Sequence, residues 1–341
     1  MPLSRGESVQ SYEISSRLSK KYSLHGSKYS NFQHINKYNL NTSAINSYLK
    51  KIDLLFTIVD GYVDFYHEKF TSLARLYSVP NIWLINAPIE EMYCFYNSKS
   101  SYLKQKVFRQ FSAKYVDHAI CVSEEMELYT KEILKIKNTS VIPNGANHKL
   151  FKPKNKSLSI FNDEKFKIIW SGNGEFTWQA TNLIQKAAQY FEKRDPTIQF
   201  IIITDKIWSK KQVFSNTLYL QSVPFNILPQ YLDQADVCLC LYNSQKNSKF
   251  YRSPMKLFDY MSMQKAVIGT NVGQIKKIIQ NNENGILIDN SLEQLIKAVL
   301  YLKENHLKKS IIEKRARITI IKDYNWEITV NNINTVINQY L

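Results

Sequence analysis

An α/β architecture with two parallel-sheet domains is what this 341-residue chain predicts, on three observations. Short apolar runs of strand type alternate with segments whose apolar residues recur at helical spacing, the grammar of a parallel sheet covered by helices. The alternation restarts after a polar stretch, 152–165 (KPKNKSLSIFNDEK), which has the composition of a linker and is where a domain boundary is expected. The length suits two domains, and 44% hydrophobic with 22% charged residues is the balance of a folded chain with room for two cores.

The first half opens on MPLSRGE and runs into a helical pattern from Val9 to Tyr22, with Tyr12, Ile14 and Leu18 among its apolar positions. Residues 24–50 are polar and weakly periodic, and predict irregular structure with one helix near Ser43 to Lys50. Clearer grammar resumes with strand Leu54–Val59, a helix through Glu68 to Tyr77 and strand Asn81–Ile85. That strand ends at Asn86-Ala87-Pro88, and a polar residue at the carboxyl end of a parallel strand is where such sheets place binding groups; a turn-forming Asn before Pro is the plainer alternative. Helix Leu103–Tyr115 follows, then an apolar strand from His118 to Val122 leading into a helix capped by Ser123. His118 reads as structural or surface rather than catalytic, since nothing nearby supplies a second catalytic group. Val141-Ile142 is a last short strand before the turn Pro143-Asn144-Gly145.

The second half begins with strand Phe166–Trp170 and the turn Ser171-Gly172-Asn173-Gly174, which lets a ligand approach the backbone closely, although a lone Gly-rich turn is a weak phosphate signal. Helix Leu183–Phe191, strands Phe200–Thr204 and Leu218–Leu220, helix Leu228–Gln234 and strand Asp236–Leu241 continue the pattern. Ser253-Pro254 opens a helix, with Pro in the first turn and Ser capping it, and Leu257, Phe258 and Met261 form its apolar side. Strand Ala266–Thr270, a loop marked by Gly273, the pattern Ile275, Ile278, Ile279, and strand Ile286–Ile288 after Asn284-Gly285 complete the unit. Helix Leu292–Lys303 and a basic segment 307–317 come next.

The 45 Lys and Arg against 29 Asp and Glu leave +16, so acidic partners are expected. The lysines are scattered over many helices and the 22 tyrosines are dispersed, which argues against a nucleic-acid reader. Peripheral contact with an anionic membrane remains open, with no single amphipathic basic helix standing out. No apolar run reaches the length of a bilayer span, and the first residues lack a signal-peptide core, so a cytoplasmic protein is expected, placed at most against the inner face of the cell membrane. Cys94, Cys121, Cys238 and Cys240 show neither zinc spacing nor a disulfide framework and read as reduced, buried small hydrophobes.

The stretch Ser253-Pro254-Met255-Lys256-Leu257-Phe258-Asp259-Tyr260-Met261, followed by Lys265-Ala266-Val267-Ile268, Gly273 and Asn284-Gly285-Ile286-Leu287-Ile288, resembles the nucleotide-binding signature of GT-B-fold glycosyltransferases. The family is the large retaining one that includes sucrose synthases and many bacterial polysaccharide sugar transferases, the group 1 glycosyl transferases. Ile142-Pro143-Asn144-Gly145 with Phe151-Lys152-Pro153 resembles its interdomain connector, and Tyr324-Asn325-Trp326-Glu327 its closing motif. The resemblance implies two Rossmann-like domains facing a cleft: 1–153 on the acceptor side, 154–323 binding the nucleotide sugar, and 324–341 as a helix crossing back. Carried over residue by residue, it implies a sugar-donor site of Gly172, Asn173, Trp178, Gln179, Val223, Ser253, Pro254 and Asp259. It implies catalytic roles for Lys256 and Asn86, and an acceptor side of Arg5, Gly6, Asn86 and Glu90.

The implied reaction moves a sugar from a UDP- or GDP-type nucleotide sugar to a saccharide or lipid-linked acceptor with retention, and needs no cofactor and no metal. The chain departs from the family in several places. The strand that normally precedes the Arg5-Gly6-Glu7 loop is missing, so either the start lies upstream of Met1 or the N-terminal sheet is short by one strand. The usual Arg and Lys after the Gly-rich turn are replaced by Glu175-Phe176-Thr177-Trp178-Gln179, leaving Lys256 and Arg252 as the nearest cations for a departing diphosphate. Asp259 stands for a glutamate that accepts from the ribose hydroxyls, and Tyr251 stands for its usual partner glutamate. These departures support an alternative, a non-catalytic GT-B partner or sugar-binding subunit of an active transferase.

Overall fold

The computed structural model describes residues 6–27, 36–38, 49–59, 65–91, 98–154, 158, 161, 164–174, 176, 178–205, 214–243 and 251–341. The chain divides into two units. The N-terminal unit takes Gln10–Asn144, Tyr251–Ser253 and Trp326–Leu341; the C-terminal unit takes Gly145–Phe250 and Pro254–Asn325 with the residues up to Val9.

Helix α1 (Gly6–Leu18), part of the N-terminal unit from Gln10 onward, buries Gln10, Glu13, Ile14 and Leu18, so two polar side chains share its inner face with the apolar ones. Strands β1 (His25–Ser27) and β2 (Asn36–Tyr38) pair in parallel with each other. Then come β3 (Leu55–Val59), α2 (Phe65–Leu76), β4 (Asn81–Ile85), α3 (Lys99–Ala113), β5 (His118–Cys121), α4 (Glu124–Tyr129) and β6 (Thr139–Val141). Strands β3 to β6 form a parallel sheet in sequence order. Every residue of β4 is buried, as expected for an interior strand covered on both faces. Trp83 at its centre satisfies its indole N–H on Thr71 Oγ1 at 3.1 Å. The Ser123 hydroxyl accepts from Met126 N–H at 3.1 Å and caps α4 as anticipated. His118 bears out its structural reading: its two ring nitrogens meet Tyr340 Oη at 3.2 Å and Ser140 Oγ at 2.9 Å.

The C-terminal unit runs β7 (Phe166–Ser171), α5 (Thr181–Arg194), β8 (Ile198–Thr204), β9 (Thr217–Gln221), α6 (Leu228–Leu232) and β10 (Val237–Cys240). It continues through α7 (Met255–Ser262), β11 (Ala266–Thr270), α8 (Ile275–Ile278), β12 (Ile286–Ile288), α9 (Leu292–Glu304) and α10 (His306–Asp323). Its six strands are all parallel, in the order β12-β11-β10-β7-β8-β9. The chain therefore steps outward from β7 to β9, returns to lay β10 beside β7, and steps outward the other way. That reversal makes the β7/β10 pair a topological switch point, and the crevice beyond its carboxyl ends is where open α/β sheets take ligands.

Alternation along the strands divides the core in two. Ile168, Trp170, Phe200, Ile202, Val237, Leu239 and Ile268 face the helices α5 and α9, while Ile169, Ile201, Ile203, Cys238, Cys240 and Val267 face α7, α8 and α10. Each such side chain contributes roughly 1.5–3 kcal/mol on burial, so the sheet is held from both faces. Cys121, Cys238 and Cys240 are buried free thiols, and burial pushes the Cys121 and Cys240 thiols up to about 12; Cys94 lies outside the described residues. The last helix, α11 (Trp326–Ile337), belongs to the N-terminal unit, where Thr329 Oγ1 donates to Pro143 O at 3.1 Å and Tyr22 Oη to Asn334 Oδ1 at 2.6 Å.

Several local expectations are corrected. Ser253 does not cap α7: its hydroxyl accepts from Asn144 N–H at 3.1 Å, and Pro254 itself is the N-cap residue, with no side-chain cap. A competing backbone N–H brought in by the fold has taken the serine. The pattern Ile275, Ile278, Ile279 forms a single turn, because Ile279 already has extended backbone. The stretch 152–165 is no free linker where it is described: Lys154 N–H donates to Asp233 Oδ2 at 2.9 Å, and Phe161 is buried in the C-terminal core. The helix near Ser43 to Lys50 falls almost wholly outside the described residues, as do Met1 to Arg5.

Candidate functional site

The β7/β10 switch point is lined by residues whose side chains are held by one another. Strand β7 ends in Trp170 and Ser171, and Tyr260 of α7 bonds to that end. The buried Tyr260 hydroxyl accepts from Ser171 N–H at 2.8 Å and lies 2.9 Å from Ser171 Oγ, fixing the strand end against the helix. One turn earlier on α7, Lys256 reaches the turn after β7. Its Nζ donates to Gln179 Oε1 at 2.6 Å and sits 4.2 Å from the centre of the Trp170 ring and 5.8 Å from that of Tyr242, just beyond β10. Gln179 Nε2 in turn donates to Asn173 O at 3.0 Å. Two ring faces give a cation favourable contact.

Gly172 closes this group. A Cβ there would lie 2.6 Å from Lys256 Nζ, 3.1 Å from the Trp170 ring and 3.2 Å from Gln179 Oε1, at a φ of +157° that side chains rarely adopt. Glycine is what allows the lysine to reach the backbone of the turn. Desolvation pulls the Lys256 ammonium down to about 7, although the side chain keeps part of its surface exposed. It is a cation in want of an anion. Asp259, 5% exposed, lies three residues on from Lys256 on the same helix and hence on a neighbouring face.

The other residues expected at the sugar-donor site are placed less uniformly. Trp178 stacks on Phe176 with ring centres 4.4 Å apart and planes 14° apart, and its carbonyl accepts from Asn243 N–H at 2.8 Å. Val223 follows β9, the edge strand, and packs against the core face covered by α7, α8 and α10. Pro254 opens α7, whereas Ser253 is grouped with the N-terminal unit. The structure thus brings Gly172, Asn173, Gln179 and Lys256 together, with Trp178 adjoining through the chain.

In the N-terminal unit Asn86 and Gln10 exchange carboxamide hydrogen bonds, Gln10 Nε2 to Asn86 Oδ1 at 2.8 Å and Asn86 Nδ2 to Gln10 Oε1 at 2.6 Å. Gln10 Nε2 also donates to Asn144 Oδ1 at 2.8 Å, and Asn144 Nδ2 to Ser253 O at 2.9 Å. Glu90 receives Lys106 at 2.8 Å and the Tyr129 hydroxyl at 2.8 Å; burial works to raise its carboxyl, and these bonds outweigh it and hold it low. Glu91 pairs with Arg252 at 2.6 Å, and burial still pushes its carboxyl up. Arg252 is thereby a member of the N-terminal unit. Gly6 is the first residue of α1, and Arg5 lies outside the described residues. Among the described residues, no three His, Cys, Asp or Glu side chains gather as metal ligands.

Gln10, Trp170, Tyr242 and Tyr260 were not singled out from the sequence. Gln10 had a signal, a polar residue in phase with the apolar side of its helix. Trp170 and Tyr242 acquire meaning only once β7 and β10 are known to be neighbours.

Residues 165–305 match the family described as Glycosyl transferases group 1. No curated protein matches the chain. Among solved structures, sucrose-phosphate synthase from Thermosynechococcus elongatus aligns with a TM-score of 0.76 at 13% identity, over 98% of this chain and 93% of that one. HepE of Anabaena, solved in complex with UDP, aligns with a TM-score of 0.74 at 13% identity over 99% and 98% of the two chains. A glycosyltransferase of Rickettsia africae gives 0.64 at 17% identity over 90% and 84%. The chain has the GT-B fold, and its residues 165–305 match the group 1 glycosyl transferases.

Proposed function

We propose that the protein transfers a sugar from a nucleoside-diphosphate sugar to an acceptor hydroxyl, with the sugar donor held at the β7/β10 switch point. The observation that carries this is the Lys256 ammonium, drawn out of water beside Gly172 and with no carboxylate among its described partners. A diphosphate seated there meets a cation and the bare backbone of the turn, and its charge restores the proton that burial discourages. Asp259 accepts hydrogen bonds from the ribose hydroxyls, Trp178 and Val223 border the nucleoside, and Gln179 keeps the lysine aimed. HepE has been solved with UDP and with UDP-glucose, which favours a uridine donor over a guanosine one.

In the reaction the bond from the anomeric carbon to the diphosphate oxygen breaks as the acceptor oxygen bonds to that carbon on the same face. The acceptor proton passes to the departing diphosphate, so no strong protein base is needed and the configuration is retained. Lys256 stabilises the charge that develops on the leaving group, in place of a metal ion. Asn86 and Glu90 belong to the acceptor side, together with Arg5 and Gly6. The acceptor is a saccharide or lipid-linked one in surface polysaccharide or glycolipid synthesis, met at the cytoplasmic face of an anionic membrane. The +16 net charge supports that setting, and no helix among the described residues is long and apolar enough to cross a membrane.

A second reading, a sugar-binding partner without activity, is favoured by one observation: Arg252, the other cation near α7 in sequence, is ion-paired to Glu91. Thermal shift with UDP- and GDP-sugars, followed by assay of donor hydrolysis, separates the two. A stabilising shift that Asp259→Ala abolishes, accompanied by release of nucleotide, is expected. A shift without any nucleotide release favours the partner protein, and no shift with any nucleotide sugar sinks both readings of this site.

A further inference from the structure

Helix α10 carries apolar residues on opposite sides. Ile312, Ala316 and Ile320 are buried against the C-terminal unit, and Arg317 holds that side in place by donating to Ser262 O and, at 3.1 Å, to Phe151 O. On the far side Leu307, Ile311, Ile318 and Ile321 are exposed, Leu307 at 86% and Ile318 at 61%. With Lys314 between them, these residues follow one another at spacings of four and three, so they form a single straight stripe. At 1.5 Å rise per residue the stripe is about 21 Å long. Lys308, Arg315 and Lys322, seven residues apart, run along one edge of it. The only acid bonded to this set in the described structure is Glu283, 3.7 Å from Arg315, both largely exposed.

We propose that this outer face of α10 is a docking surface for an anionic lipid bilayer, its Leu and Ile side chains entering the interface and its Lys and Arg side chains meeting lipid phosphates. Exposed aliphatic residues in a row argue for something apolar to cover them, and the basic edge argues that the cover is acidic. Lys314 decides between lipid and protein. In a helix-to-helix seam, Lys314 between Ile311 and Ile318 would have its ammonium taken out of water. At a bilayer surface the same side chain lays its methylenes along the apolar layer and reaches the phosphates. A second copy of the chain would bring Lys308, Arg315 and Lys322 against like charges. The inference deepens the membrane setting of the proposed reaction and rests on it, but lipid binding is measured without any sugar donor.

The test is co-sedimentation with vesicles of phosphatidylglycerol and phosphatidylcholine, against vesicles of phosphatidylcholine alone. The full chain is expected to bind the anionic vesicles only, and to lose on the order of tenfold or more of that binding in Ile311→Ser/Ile318→Ser and in Lys314→Glu/Lys322→Glu. All four positions are exposed, so both variants keep the melting temperature and the nucleotide-sugar affinity of the parent. Equal binding to both vesicle types, no binding, or binding unchanged in the two variants overturns the proposal. A concentration-dependent dimer that either variant abolishes assigns the face to a second copy and overturns it equally. Vesicle binding by a protein that takes no nucleotide sugar upholds this surface while removing the transferase reading.

Discussion

Two clusters of polar side chains, one in each unit, are built on opposite principles. In the N-terminal unit Gln10, Asn86, Asn144 and Ser253 satisfy one another, each carboxamide both donating and accepting. In the C-terminal unit Lys256 finds one amide oxygen and two ring faces, and burial weakens its hold on its proton. A closed network of neutral amides rigidifies what it joins. A partly desolvated ammonium holds its proton weakly, and an incoming anion strengthens that hold. The contrast separates a self-satisfied cluster from one left open to a ligand more sharply than the residue types do.

The largest effect expected from breaking this contrast is at Lys256. Lys256→Ala should lower kcat on the order of 10²–10³-fold while leaving the melting temperature of the ligand-free protein unchanged or raised, since a poorly solvated ammonium is removed. Steady-state kinetics beside calorimetric unfolding would check both halves. Next is the amide network: Gln10→Leu leaves Asn86 and Asn144 without their partner and should cost about 1–3 kcal/mol of stability, with nucleotide-sugar affinity unmoved. Asn86→Ala, on the acceptor side, should also lower turnover by more than its lost stability explains; turnover left unchanged would make the network merely structural.

The smallest effect is on pH dependence. Lys256 titrates at about 7 in the ligand-free protein, and a bound diphosphate raises that value. Binding above it therefore takes up a proton, and affinity should fall by up to about tenfold per pH unit as pH rises past 7. Lys256→Arg should flatten the profile, because guanidinium stays charged throughout. For stability the sign is opposite. Between about 7 and the ordinary lysine value of 10.5 the unfolded chain binds the extra proton, so the ligand-free unit gains stability as pH climbs through that window.

Much of the fold was legible in local pattern. Strands such as Asn81–Ile85, Phe166–Ser171 and Ala266–Thr270 are apolar runs bounded by turn residues, and a buried parallel strand must be so. Ser123 was legible as a cap, because its partner Met126 lies three residues away. Ser253 was misread for the converse reason: its partner Asn144 is 109 residues distant. The face of α10 was hidden because apolar residues on opposite sides of a helix cancel in any measure of amphipathicity, and only packing tells the buried Ile312 from the exposed Ile311.

By itself the sequence determined the α/β class, the alternation of elements and the helix that carries Lys256 and Asp259, since these follow from spacings of two to four residues along the chain. The tertiary structure alone decided that β10 lies beside β7, and with it that Trp170, Tyr242, Gln179 and Gly172 surround one ammonium. Strand order is a choice among long-range pairings that leave local spacing untouched. The desolvation that brings Lys256 down to about 7 comes from that choice and from no residue taken singly.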